Sequence, residues 1–167
     1  MPTEERTLIR AVEPADHSAI HSVVAAAFRQ SDEADLVDAL RADGDALLEL
    51  VALEDGAIVG HILFSPRTSD NGLCWSAWAT PSVQPAWQKD GHGTALMEEG
   101  HRRLAAAGIE AIIVLGHPAY YPRVGYSAEL ARTVAAPFEG PGFMALELVP
   151  GALAEPVTIT YAKAFGL

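Results

Sequence analysis

The sequence predicts an α/β (α+β) fold on a mixed, mostly antiparallel twisted sheet with helices on both faces, and three observations carry this. Two apolar runs, Leu47 to Glu54 and Ala57 to Ser65, flank Asp55-Gly56, a strong two-residue hairpin signal. Farther on, a polar loop containing Pro85, Gly91 and Gly93 opens a helix with Leu96, Met97, Gly100 and Leu104 on one face. A short, fully apolar strand, Ala111 to Leu115, follows that helix. Strand, loop, helix and strand in this order form a crossover, which makes the two strands parallel neighbours.

The remaining elements follow in order. Leu8 to Val12 reads as a first strand, and Pro14 suits a first helical position. Ile20, Val23, Val24, Ala27 and Phe28 recur at helical spacing. A shorter helix turns Leu36, Val37 and Leu40 inward, with Gly44 just past its end. The hairpin runs are apolar on both faces, which predicts a sheet covered on each side. Asn71-Gly72 marks another turn, and Leu73 to Val83 is a third long strand, with Pro81 predicting a bulge or splayed pairing. Gly108 closes the loop's helix. Pro118 to Arg123 is a short helix or turn, and Phe143 to Val149 and Val157 to Tyr161 are closing strands. The order is β-α-α-β-β-β-α-β-α-β-β, with no internal repeat or linker, so residues 1–167 are expected to form a single domain.

The 167 residues suit one sizeable core, and half of them are hydrophobic, which argues against disorder. No apolar run is long enough for a bilayer, and Met1 to Arg10 does not read as a signal peptide. A single cysteine, Cys74, fits a reducing cytoplasm. The net charge of −11 disfavours nucleic acid as a partner. It serves solubility, or it attracts a cationic substrate such as an amine.

Gln88, Gly91 and Gly93 spell Q-x-x-G-x-G between a strand and a helix. Physically this is an anion cradle, because glycines admit close backbone approach and the first helical turn points its N–H groups at the ligand. The same residues also suit an ordinary glycine-rich turn. The loop is neither a Walker loop nor G-x-G-x-x-G. Downstream lies Tyr120-Tyr121-Pro122-Arg123-Val124-Gly125-Tyr126.

With these two motifs at this distance, the chain resembles the GNAT superfamily of acyl-CoA-dependent N-acyltransferases. Gln88, Gly91 and Gly93 match that family's Gln/Arg-x-x-Gly-x-Gly/Ala loop, and Tyr120, Tyr121, Gly125 and Tyr126 match its later aromatic motif. More closely it resembles a bacterial subfamily of predicted acetyltransferases, through stretches such as Val59 to Ser65, Leu115 to Arg123 and Phe143 to Leu148, over roughly residues 8 to 167. The resemblance implies a splayed parallel strand pair for CoA and acetyl-CoA as co-substrate, with no metal. It implies a CoA site at Gln88, Lys89, Asp90, Gly91, His92, Gly93, Thr94 and Ala95. It places pantetheine beside Ser82 and Val83, with a backbone N–H near Val83 facing the thioester oxygen. Tyr121 matches the family's general acid, a phenol with an ordinary pKa near ~10 facing a thiol near ~8.5. Glu33 and His117, with His61 behind them, are candidate bases for the amine, and Phe28, Trp78, Thr80 and Val124 are expected around the acceptor.

The chain departs from the pattern in three places. Asp90 puts a carboxylate in the phosphate loop, Trp75 and Trp78 replace a smoother aliphatic strand, and Val124 stands where relatives often carry Phe. His17 and His21 share a helix face without a third metal ligand. The implied reaction is acetyl transfer to an amine of a small molecule or peptide, by a cytoplasmic monomer or homodimer. Two alternatives stand beside it: a repurposed fold with a Trp-lined pocket, and a non-catalytic acyl-CoA-binding module.

Overall fold

The computed structural model describes residues 7–69, 75–83, 85, 91–115, 119–135, 142–154 and 157–160, with the backbone alone at 7, 66–69, 75–81, 135 and 157–160. The chain forms two compact units, Met1–Leu63 with Thr80–Gly100, and Phe64–Ala79 with His101–Leu167.

In the first unit, β1 (Thr7–Ala11) leads through a 3-10 turn, Pro14–Asp16, into α1 (His17–Phe28). Proline occupies the first position of that turn, where its fixed φ fits and no amide donor is lost. The Asp16 carboxylate closes the turn, accepting from the Glu13 N–H at 2.8 Å and from the Arg10 guanidinium at 2.7 and 3.0 Å. α2 (Asp32–Ala42) carries Asp32, Glu33 and Asp35 in its first turn, where negative charge complements the helix dipole. It ends as Gly44 takes φ +77° and the Asp45 N–H reaches back to the Leu40 carbonyl at 2.8 Å. Of the residues placed inward by helical spacing, Ile20, Val23, Val24, Val37 and Leu40 are buried, and Ala27 and Leu36 are half-buried; Ala34 joins them in the core. Phe28 is the exception, 44 % exposed at the end of its helix.

β2 (Leu48–Glu54) pairs antiparallel with β1 and turns directly into β3 (Ala57–Ser69). Asp55 and Gly56 have φ of 50° and 86°, the two left-handed residues of a type I′ turn, whose twist matches the flanking strands. Leu50, Val51, Ala52 and Leu53 are all buried, so this strand is covered on both faces, as expected.

Inside this unit lies an ionic network that the sequence does not announce. The Arg41 guanidinium grips the Glu49 carboxylate with two bonds, of 3.0 and 2.7 Å, and His61 Nε2 stands 2.9 Å from the same carboxylate. Burial pushes the Glu49 carboxyl up, but the bonds from His61 and Arg41 outweigh it and hold the group down at about 2. The unfolded chain therefore takes up this proton near pH 4.5, well before the native state does. Stability present above pH 4.5 should be lost as pH falls towards 2, by about 1–2 kcal/mol after solvent screening. Denaturant titration at pH 6 and pH 3 should show that loss in the native chain and a smaller one in Glu49→Gln.

The second unit takes in the later part of β3 and the start of β4 (Trp75–Val83). α3 (His92–Ala106) passes into it, followed by β5 (Ala111–Leu115) and two 3-10 segments, Tyr121–Val124 and Leu130–Thr133. β6 (Val134–Ala135), β7 (Phe143–Glu147) and β8 (Val157–Thr160) complete it. The strand order is β1-β2-β3-β4 in the first unit and β3-β4-β5-β7 in the second. β5 lies parallel to β4, with Ser76 opposite Ala111 and Trp78 opposite Ile113, as the crossover requires. On its other side β5 pairs antiparallel with β7, from Ala111 opposite Glu147 to Leu115 opposite Phe143. Among the described residues the β4–β5 ladder ends at Trp78 and Ile113, although each strand runs on, to Val83 and Leu115.

Three details differ from the sequence reading. β3 extends to Ser69, and Thr68 and Ser69 pair antiparallel with Thr160 and Ile159 of β8. β6 was not foreseen: two residues paired parallel with β8 are too few to leave a period. α3 begins at His92, so Gly93 belongs to the helix rather than the loop. The turn at Asn71-Gly72 lies outside the described residues. The core of this unit joins Ala111 and Ile113 to Phe143, Ala145, Ala131, Val134 and Leu153. Among the described residues no helix is long and apolar enough to cross a membrane.

Candidate active site

The anion cradle expected from the sequence falls at the start of α3. Gly91 has φ +86°, and among the described residues a Cβ there would meet nothing within 4 Å. A left-handed residue entering a helix turns successive N–H groups to one side, an anion-binding concavity. In the first turn of the helix the Ala95 N–H bonds to the Gly91 carbonyl at 2.9 Å. Gly93, Thr94 and Ala95 are half-buried. The His92 side chain is buried with Nε2 3.1 Å from the Glu54 carboxylate, which fastens the helix start. Gly60 of β3 lets the helix sit close: a Cβ there would lie 3.1 Å from Leu96 Cδ1 and 3.4 Å from the Ser82 carbonyl. Gln88, Lys89 and Asp90 lie outside the described residues.

The same unit brings Phe28, Glu33 and Ser82 together on one cavity of about 30 Å³, otherwise lined by Val24, Leu36, Val37 and Leu40. Glu33 is half-buried and accepts from Gln30 Nε2 at 3.1 and 3.2 Å. Ser82 is buried and Val83 half-buried at the end of β4. The backbones of Trp75, Trp78 and Thr80 run in β4; their side chains, like Cys74, lie outside the description.

In the second unit Tyr121 opens a 3-10 turn that ends at Gly125, with φ +99°. Its ring is buried, edge-on to Tyr120 at 5.1 Å and to Tyr126 at 5.7 Å between centroids. Burial, and then the neighbouring Tyr120, pushes the phenol up to about 12. The ordinary value near ~10 expected from sequence is therefore corrected: Tyr121 is a firmly protonated hydroxyl and a weaker acid than a solvated phenol. Val124 is half-buried in the same turn, and His117 lies outside the described residues.

Sequence reasoning missed His101. Its Nε2 stands 2.9 Å from the Tyr126 hydroxyl, and the two rings pack at 5.4 Å. Burial holds the imidazole down at about 4 and raises Tyr126 well above 10, so a neutral ring meets an un-ionised hydroxyl. The unfolded chain takes up this proton near pH 6.5, the native one only near pH 4. Stability should fall between those values, by about 1–2 kcal/mol once screening is counted. Melting curves at pH 7.0 and 4.5 should show a larger drop in the native chain than in His101→Asn; equal drops would mean the ring is protonated in the fold.

His61, a candidate base from sequence, is fully buried; burial pushes it below the ordinary imidazole range, and Glu49 takes its Nε2–H. It is a member of the Arg41–Glu49 network rather than a group at a cleft. His21 stands 3.2 Å from Asp35 and 3.6 Å from Asp38, and Asp38 also meets Arg41.

Comparison with known proteins places this architecture. The family model described as Acetyltransferase (GNAT) family matches residues 16–126. The chain belongs to this family, whose general reaction is acetyl transfer to an amine. Among similar proteins is the uncharacterized N-acetyltransferase YhbS of Escherichia coli (strain K12), 36% identical over 121 residues, 71% of this chain and 72% of that one. YjhQ of the same strain, also an uncharacterized N-acetyltransferase, is 39% identical over 116 residues, 66% of this chain and 64% of that one. The crystal structure of Escherichia coli YhbS in complex with CoA superposes with TM-score 0.91, covering all of this chain and 96% of that one at 29% identity. A GNAT family acetyltransferase from Brucella melitensis, in complex with acetyl-CoA, gives 0.81 at 33% identity, over 97% and 99% of the two chains.

Proposed function

We propose that this chain binds acetyl-CoA and transfers its acetyl group directly to an amine of a small molecule or peptide. The observation that carries the reading is Gly91, left-handed and open, at the mouth of α3. The backbone N–H groups of Gly91 to Gly93, ahead of the Ala95 N–H that is spent on the Gly91 carbonyl, would hold the pyrophosphate, with Gln88 and Lys89 from the same loop. Ser82 and Val83, where β4 ends beyond its ladder with β5, would border the pantetheine arm. Acetyl-CoA supplies a thioester: the amine nitrogen bonds to its carbonyl carbon, the C–S bond breaks, and sulfur leaves with the electron pair.

Two proton movements fall to the protein. Tyr121 would donate to the departing sulfur, and Glu33 or His117 would take the amine proton, directly or through water. Neither movement needs a metal. β3, β4 and α3 run through both compact units, which supports reading the chain as one catalytic domain. A lone cysteine and the absence of a membrane-length helix among the described residues agree with a cytoplasmic enzyme.

Incubation with acetyl-CoA and an amine panel tests this directly. Release of CoA matched by an acetylated amine in the mass spectrum is the expected result. Tight CoA binding with no product from any amine would support a non-catalytic module instead. Failure to bind CoA would support a repurposed fold.

A further inference from the structure

The cavity beside Ser82 carries a conclusion about the acceptor. Its walls are apolar: Val24 and Phe28 from α1, and Leu36, Val37 and Leu40 from α2. Two polar groups border it, the Glu33 carboxylate and the buried Ser82. About 30 Å³ is room for two or three non-hydrogen atoms, since one water needs ~10–15 Å³. A polar group in such a space would be stripped of water with few partners in return. An alkyl group would gain roughly fourfold in affinity for each methylene it buries. Glu33 is committed only in part: Gln30 occupies some of its lone-pair positions, while a carboxylate has about four. Its negative charge and the chain's net −11 both favour a cation at this edge.

We infer that the acceptor is an amine bearing a small aliphatic group, with that group seated among Val24, Val37 and Leu40 and the ammonium held at Glu33 before it is deprotonated. This rests on the acetyl-transfer reading above and adds a substrate class to it. Polyols, amino sugars and amines with a second charge close to the first are selected against by the same walls.

The test uses two amines of equal length, butylamine and 3-aminopropan-1-ol, with acetyl-CoA. The native enzyme should favour butylamine in kcat/KM by about tenfold or more, although the alcohol holds more of its amine unprotonated. Val37→Thr keeps the shape of the wall and adds a hydroxyl, so it should shrink that preference severalfold. Glu33→Gln should raise KM for both amines alike. Equal acetylation of the two amines by the native enzyme would overturn the inference and leave acetyl transfer standing. If neither amine is acetylated, calorimetry of both against the CoA-bound protein decides: tighter binding of butylamine upholds the cavity's assignment, and equal or absent binding overturns it. The comparison between amines is made in the native chain, so it holds even if a variant fails to fold.

Discussion

Tyr121→Phe is expected to lower turnover by roughly 10²-fold or more, while CoA affinity hardly changes. The ring is buried between Tyr120 and Tyr126, and phenylalanine keeps both edge-on contacts. Only the hydroxyl is lost, so the effect on acetyl transfer isolates its proton. The raised pKa sharpens the expectation. An acid with an ordinary phenol value would lose half its protonated form near pH 10. Held up at about 12, Tyr121 stays protonated there, so turnover should show no loss from this group between pH 8 and 10. The phenol is then a poorer acid than the thiol it would protonate in water, by about 3.5 pKa units. Burial raises the pKa of a departing thiolate as well, which narrows the gap. Steady-state turnover of both proteins across that pH range, with CoA titration and a melting curve, is the decisive measurement. Normal turnover in Tyr121→Phe would leave water as the proton donor; a large loss of stability with normal turnover would make Tyr121 a core residue.

Gly91→Glu should weaken CoA binding by about 10²-fold and folding by far less. Among the described residues nothing lies within 4 Å of the new Cβ, so none of them clashes with it. The penalty to folding is conformational: φ +86° costs a side-chain-bearing residue about 1–2 kcal/mol. A carboxylate just before a helix is itself favourable to the dipole and offsets part of that. The phosphates meet the opposite situation, with a negative charge placed where they would sit. Gly91→Ala separates the two effects, because it carries the strain without the charge. Calorimetric titration with CoA should therefore rank native, Gly91→Ala and Gly91→Glu in falling affinity, with the second step the larger. Unchanged affinity in folded Gly91→Glu would remove the cradle from the CoA site.

Much of the fold was legible because its signals are local. Asp55-Gly56 specifies a type I′ turn through two adjacent residues that tolerate positive φ. Gly44 and Gly108 end their helices for the same reason. The crossover from β4 through α3 to β5 follows from element order and handedness alone. Where the signal is short or absent, the reading missed. β6 is two residues long, and Phe28, at helical spacing with its buried neighbours, is half in solvent because α1 ends there.

The site divides along the same line. The sequence by itself determined the left-handed glycine at the head of α3 and the turn that carries the tyrosine motif, because both are contiguous strings whose geometry is set by neighbouring residues. Only the tertiary structure decided which side chains meet. Glu33 and Ser82 share a cavity although 49 residues separate them, and His101 meets Tyr126 across 25. Arg41, Glu49 and His61 come together from a helix and two strands. No period or spacing encodes such pairs. The protonation states that matter here, the raised phenol of Tyr121 and the lowered imidazole of His101, follow from burial. Burial is a property of the packed chain, because it depends on what covers a residue rather than on what stands beside it in sequence.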